Sequence, residues 1–502
     1  MKHIIAIIGY FCSNDYGGAH DDMDSVMPMK FNIWRKWRAI RSFGKEARYT
    51  LMGHRDREIR RDIDELRGAI AALQLERFIQ ECANPHSRAE LAVITCLPPD
   101  ETGIARFSES HLSVWPKDLD IYTHITDHSK IVHAMRTICG KNSDANLLSL
   151  ESLPFNHLRR PYRNIVFVIG NSDHNIVLLK SLKNFIESFG SQGVHCYLHD
   201  PACFNVTRHA LGLTEQAFAA QLAQLHDRKL RDIRGGNKHV FDDFIDAGIF
   251  GPRIISHMFG VRSFIVNSLA AKEMILSNCG DQASHVGVLY HPVFELEKGV
   301  DPELRKSENN GELVIGSYGC PSLNKLTDVI IEACHLLTNE GRNVRLILSG
   351  YGSKIYLERH FGNEPPSWID VRHQSNEADF QRDMVECDIA IQLRKHNLGE
   401  SSGVVPTLLK MEKTVITSPI GAFTAYGDAV VYFDGNSTAL ADLLRKNVRV
   451  PPECIHDFVS KHGVEQFNDA FRAILSENSG FAPLSAPELD IATNSMISEA
   501  TS

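Results

Sequence analysis

The chain has 502 residues, room for two to four domains. Hydrophobic residues at 43% and charged residues at 23% are those of an ordinary folded protein, which excludes a disordered or collagen-like chain, and no apolar run approaches the roughly 18–20 residues that cross a bilayer. A net charge of −9 argues against general nucleic-acid binding, which rests on many Lys and Arg neutralising phosphates, so an anionic ligand must be met by a local basic pocket.

In chain order, residues 1–12 carry a short apolar stretch after Lys2, followed at once by acidic residues and glycine with no small-residue cleavage site. They read as a strand or loose arm, not a signal peptide. Residues 29–48 hold seven Lys or Arg against Glu46, and a helix there puts Ile33, Trp34, Trp37 and Ile40 near one face. Such a face suits the headgroup layer of an anionic membrane; the other reading packs both tryptophans on the protein's own body. Ile59, Ile63, Leu66, Ile70 and Leu73 then alternate at four and three, the seam of a short coiled segment. Over about two heptads it fits packing against a neighbouring domain, with a homodimer contact as the alternative.

From Glu90 short apolar runs alternate with amphipathic stretches. LAVIT (91–95), DIYTHI (120–125), NIVFVIG (164–170), GVHCYLHD (193–200) and SFIVNS (263–268) read as buried strands, with helices around 104–114, 176–189 and 215–230. That alternation predicts βαβ units and one Rossmann-like lobe over 90–292. After VGVLYHPV (286–293) and a polar linker near 292–310, six more strand candidates follow: ELVIGSYG, RLILSGYG, IDVRH, DIAIQLR, TVITS and AVVYF. Ile330, Ala333, Leu336 and Leu337 lie at helical spacing with Gly341 as the expected C-cap. They predict a second Rossmann-like lobe over 293–475, ahead of a Ser-, Ala-, Asn- and Pro-rich tail over 476–502 that reads as unstructured. The fold class is therefore α/β, two Rossmann-like domains facing a central cleft, with an N-terminal extension over 1–89. Eleven cysteines without a CxxC pair support neither a zinc ribbon nor thioredoxin chemistry and read as cytosolic thiols.

Ligands of such sheets bind just outside the strand carboxyl ends, so the chemistry belongs in the loops that follow strands. In LPPDETGIARFS (97–108) Gly103 opens a helix whose free N–H groups suit a phosphate or sugar oxygen; a plain turn is the alternative. His199 and Asp200 close an apolar strand, where histidine can bond a substrate hydroxyl and aspartate orient it, although a chain with 24 histidines also places some by chance. GNSDH (170–174) closes another strand, and its Asn171 and His174, with Asp200, could line the acceptor half. In IGSYGCPSLNK (315–325) a glycine turn at Gly319 leads to Ser322 and a helix whose first turn is expected to contain Lys325, aimed at phosphate or simply solvated. QLRKHNLGESSG (392–403) crowds Arg394, Lys395, Glu400, Ser401, Ser402 and Gly403 at a helix start, which a solvated face does not explain. Fixed positive charge with aligned N–H donors suits departure of a nucleoside diphosphate better than hydrolysis. No HExxH, Walker A or GxSxG motif occurs.

Taken together, LPPDETGIARFS, IGNSDHN, YLHDP, GSYGCPSLNK and DIAIQLRKHNLGESSGVV resemble, in that order, the motifs of GT-B glycosyltransferases of the large retaining family four, especially bacterial mannosyltransferases that build polysaccharide and O-antigen chains. The resemblance spans about residues 90–471. It implies that Lys325 and Arg394 face the donor diphosphate, that Glu400 holds the donor sugar, that His199 contacts the transferred sugar or acceptor, and that Gly103 approaches the phosphate. It also implies a nucleotide-sugar donor such as GDP-mannose, a glycan or lipid-linked acceptor, retention of configuration with the departing phosphate as base, and no metal or other cofactor. Two positions depart from the pattern. The family's second glutamate, eight residues after the first, is here Leu408, so ribose must be held by other groups, and the arginine often found upstream of Lys325 is missing. Residues 29–48 would fit an enzyme in the cytoplasm, peripheral on the inner membrane face. A nucleotide-sugar epimerase and a non-catalytic scaffold of the same fold are the competing readings.

Overall fold

The computed structural model describes residues 89–477 apart from 101, 112–114, 116–118, 125–127, 142–144, 234–239, 304–310, 363, 374–375 and 397–398. The expectations for the basic stretch 29–48, the coiled segment and the tail beyond residue 477 lie outside the described residues.

The first lobe is a seven-stranded sheet of β1 (Leu91–Ile94), β2 (Leu119–Thr123), β3 (Asn146–Ser149), β4 (Asn164–Ile169), β5 (Val194–Leu198), β6 (Ser263–Val266) and β7 (His285–Val288). Its spatial order is β3-β2-β1-β4-β5-β6-β7, and every pairing is parallel. The second lobe is a six-stranded sheet of β8 (Leu313–Tyr318), β9 (Val344–Ser349), β10 (Ile369–Arg372), β11 (Ile389–Gln392), β12 (Thr414–Thr417) and β13 (Val431–Tyr432), in the order β10-β9-β8-β11-β12-β13, again parallel throughout. Two Rossmann-like lobes are the GT-B arrangement expected from the sequence.

The apolar runs form strands because helices cover both faces of each sheet, so no face needs to alternate with polar residues. All residues of β1, β2, β4, β5 and β6 are buried. In the second sheet the period of two sorts side chains into two cores: Ile315, Leu346, Leu348, Ile389, Ile391 and Ile416 on one side, Val314, Ile347, Ala390 and Val415 on the other. Helix starts carry their own caps. Ser268 Oγ accepts the Ala271 N–H at 3.1 Å at the head of Leu269–Cys279, and Asn436 Oδ1 accepts that of Ala439 at 3.0 Å.

The second lobe was expected to keep the chain through residue 475, but its last helix returns. Val464–Glu477 buries Phe467, Phe471, Ile474 and Leu475 in the core of the first lobe. A Cβ on Gly287 of β7 would stand 2.8 Å from Ile474, so only glycine lets the helix lie this close to the strand. The chain thus crosses between lobes twice, and the crossings are tied where the Val293 N–H donates to the His462 carbonyl at 2.7 Å.

Candidate active site

Both sheets end their strands on one inter-lobe cleft of about 1170 Å³. The order of each sheet reverses between β1 and β4 and between β8 and β11, and cleft loops leave those strands and the neighbouring β5, at the crevice where open α/β sheets bind ligands. From the first lobe come Thr102, Gly103, Asn171, His199 and Asp200; from the second come Gly319, Lys325, Glu400, Ser401 and Gly403.

Lys325 does not sit in the first turn of a helix, as expected. Leu326 takes a left-handed conformation (φ +49°) and the helix starts only at Thr327, so Lys325 belongs to the loop before it. Asn324 joins that loop to the next. Its carbonyl accepts the Lys395 N–H at 2.7 Å and its Oδ1 the His396 N–H at 3.1 Å, which brings Lys325 beside the Arg394 loop. Gly319 has φ +90°, and a Cβ there would meet Lys325 Nζ at 2.7 Å, so glycine leaves room for the ammonium. Burial first, then the Arg394 charge, brings the Lys325 pKa down to about 8, with Glu400 opposing.

Arg394 is buried and held on several sides. Its Nε bonds Glu400 Oε1 at 2.5 Å, its Nη1 donates to the Leu393 carbonyl at 2.9 Å, its N–H donates to Ser418 Oγ at 2.8 Å, and its guanidinium lies 5.1 Å from the Phe423 ring centre. Glu400 balances the arginine, and an incoming phosphate would compete for the same guanidinium.

Across the cleft, Asp200 is pushed up to about 7, by burial and then by the Glu400 charge, against hydrogen bonds from the Cys203 and Ala202 N–H groups and from Asn171. Asp200 Oδ1 and His199 Nε2 are buried without a partner. Three histidines gather around Phe107, with ring centres 3.6 Å (His111), 4.0 Å (His199) and 5.3 Å (His291) from it. All three are held neutral, chiefly by burial, with His291 at about 4 and the other two well below the ordinary value. His111 and His291 face the carbonyls of Phe107 (2.7 Å) and Pro292 (3.1 Å), so each carries its hydrogen on Nδ1. At the head of the helix Gly103–His111, Thr102 Oγ1 accepts the Ala105 N–H at 3.0 Å, and a Cβ on Gly103 would meet nothing within 4 Å, so the space before the helix is open.

Four residues of the predicted set do not line the cleft: Arg394, which is buried and bonded to the cleft residue Glu400, and His174, Lys395 and Ser402. His174 turns to Asp100, Nδ1 to Oδ1 3.2 Å, beside a smaller pocket, because that carboxylate, already bonded by Lys130 at 2.8 Å, is its near polar partner. Lys395 is exposed, its backbone serving the Asn324 link. Ser402 is buried, and its carbonyl accepts the Tyr426 hydroxyl at 3.2 Å. Leu408 is fully buried in the core of the second lobe and does not line the cleft. Sequence reasoning missed His291, whose segment reads as strand, and the inter-lobe contact of Arg106 with Glu377 (3.8 Å) and the Phe380 ring (5.5 Å). Neither carries a local pattern. Among the described residues no group of three or more His, Cys, Asp or Glu is placed to hold a metal, and no helix is long and apolar enough to cross a membrane.

No protein-family model matches the chain, and no curated protein matches it by sequence. Among solved structures it is similar to HepE from Anabaena in complex with UDP and glucose, at 12% identity over 77% of this chain and 99% of that one, with a TM-score of 0.49. It is similar also to TarM, at 10% identity over 78% and 99% with a TM-score of 0.49, and to the lipopolysaccharide outer core galactosyltransferase WaaB, at 9% identity over 77% and 99% with a TM-score of 0.48.

Proposed function

We propose that the cleft is the active site of a glycosyltransferase that moves a sugar from a nucleoside-diphosphate sugar, GDP-mannose or a similar donor, to a glycan or lipid-linked acceptor in polysaccharide synthesis, with retention of configuration. The observation that supports this reading is that Lys325 and Glu400 of the second lobe line one cleft with His199 and Asp200 of the first, while the buried Arg394, bonded to Glu400, adds its charge beside Lys325. As the bond from the anomeric carbon to the phosphate oxygen breaks, negative charge collects on the diphosphate, where Lys325 and Arg394 lower the barrier by electrostatics that need no rearrangement. Glu400 would release part of its hold on Arg394 to the phosphate and take sugar hydroxyls instead. The acceptor oxygen attacks from the face the diphosphate leaves, and a phosphate oxygen takes its proton, so retention follows without an enzymic nucleophile or a metal ion. Contact of residues 29–48 with the inner membrane face would fit an enzyme that acts on a lipid-linked acceptor.

The buried Leu408 favours a second reading, a scaffold that binds sugar nucleotides without turnover. A thermal-shift panel of GDP, UDP, ADP and dTDP sugars finds the donor, because a ligand bound only by the native state raises the melting point. Release of nucleoside diphosphate only when acceptor is present then supports transfer over both epimerisation and the scaffold. Binding without release over a broad acceptor panel overturns it. Vesicle sedimentation with and without anionic lipid tests the membrane contact, which fails if wild type and Trp34→Ala/Trp37→Ala stay equally in the supernatant.

A further inference from the structure

His199 differs from its two neighbouring histidines. Its Nδ1 faces not a carbonyl but the side-chain amide of Asn267, 3.1 Å from Nδ2. The register of the sheet makes that contact. β5 and β6 pair Tyr197 with Ile265 and Leu198 with Val266, so His199 and Asn267 are the first residues beyond the two paired ends, side by side. Tyr197 lies two residues before His199, on the same face of the strand, with ring centres 4.4 Å apart.

The Tyr197 hydroxyl donates to Asn267 Oδ1 at 2.6 Å, and both residues are buried. Turning the amide over would set the hydroxyl hydrogen against an NH2 group and leave it without an acceptor in a buried place, so the tyrosine decides which end of Asn267 meets the histidine. Asn267 Nδ2 then donates, His199 Nδ1 must accept, and the single ring hydrogen of the neutral imidazole sits on Nε2. That nitrogen is buried without a protein partner on a residue that lines the cleft. A donor is left for the ligand to satisfy.

We propose that Tyr197 and Asn267 are positioning residues that lock His199 with its hydrogen on Nε2, so that it offers an N–H donor, and not a proton acceptor, to an oxygen of the sugar held in the cleft. This rests on the sugar-transfer reading above. His199 then holds a hydroxyl or ring oxygen in place and takes no proton from the acceptor, in keeping with the low proton affinity that burial and the neighbouring His291 give it.

The test uses the full chain with ring-15N histidine and long-range proton–nitrogen NMR, the His199 signals being identified by their loss in His199→Gln. The expected spectrum shows Nε2 protonated and Nδ1 bare at neutral pH. Asn267→Asp, whose carboxylate only accepts, moves the hydrogen to Nδ1, and Tyr197→Phe leaves a mixture of both forms. Turnover of the donor found in the thermal-shift panel falls roughly tenfold in Asn267→Asp and less in Tyr197→Phe, mainly in kcat and with donor KM little changed. A wild-type His199 protonated on Nδ1, or Asn267→Asp turning over at the wild-type rate, overturns the proposal. If Asn267→Asp does not fold, Tyr197→Phe decides: a pure Nε2–H form with full turnover refutes the lock. The spectrum is independent of activity, so a wild-type chain with the expected tautomer but no transferase activity defeats the functional reading and leaves the geometry of the lock intact.

Discussion

Donor binding should weaken with rising pH through the titration of Lys325. Its pKa in the cleft is about 8, and the negative charge of a diphosphate beside it would raise that value. A group that takes up a proton with the ligand strengthens binding fully below its free-state pKa and loses that contribution progressively as pH rises from there to its bound-state pKa. With the amine still protonated in the complex, the dissociation constant grows about tenfold between pH 7 and pH 9, or about 1.4 kcal/mol. Titration calorimetry with the donor's nucleoside diphosphate at several pH values reads this directly. Asp200 also titrates, at about 7, and adds negative charge to the cleft as it ionises. Lys325→Arg keeps Asp200 and removes the titrating amine, so its profile should be flat above pH 8, where Asp200 is already ionised. A wild-type affinity constant from pH 8 to 9, or a Lys325→Arg profile that falls as steeply as the wild type, would refute the reasoning.

Glu400→Ala and Lys325→Ala should each lower turnover at least about tenfold, about 1.4 kcal/mol of transition-state stabilisation, as measured by steady-state kinetics; near wild-type rates in both would count heavily against the site. Gly319→Ala should cost roughly 1–2 kcal/mol of stability from its positive φ and weaken donor binding by crowding Lys325 Nζ, which denaturant melts and calorimetry would register; an unchanged donor affinity would contradict the contact. Buried His195 and His291, both at about 4, bind fewer protons folded than unfolded between pH 6.5 and 4, so their contribution to stability is lost as pH falls through that window. Asp200, raised, acts in the opposite sense between pH 7 and 3.8, but His111 and His199 add to the histidine side. The melting temperature should therefore drop between pH 7 and pH 5, and a rise would contradict the neutral histidine cluster.

The sheets were legible because their strands are buried on both faces: a run such as NIVFVI can be little else. β3, NLLS, escaped notice because a short strand at the sheet edge, half-buried in alternation, has too few apolar residues to stand out. The returning helix shows Phe467, Phe471 and Ile474 on one stripe, but a stripe does not say which lobe it covers. Most cleft residues were legible from their place after strands, since a parallel sheet sends all such loops to one end. His174 belongs to the same loop after β4 as Asn171, yet Asp100 draws it aside, a contact 74 residues away in sequence that no local pattern carries. Lys325 kept its place in the cleft although its helix starts two residues later, because Asn324 and Gly319 fix the loop and not the helix. The pairing of Arg394 with Glu400 joins two residues of one motif whose mutual bond depends on the fold of the loop between them.

A crystal structure of the full chain with the nucleoside diphosphate of its donor tests the central claim most directly. Phosphate oxygens within about 3.2 Å of both Lys325 Nζ and the Arg394 guanidinium, with the Arg394–Glu400 bond lengthened or broken, are expected. A diphosphate bound elsewhere, with that bond intact, would contradict the account.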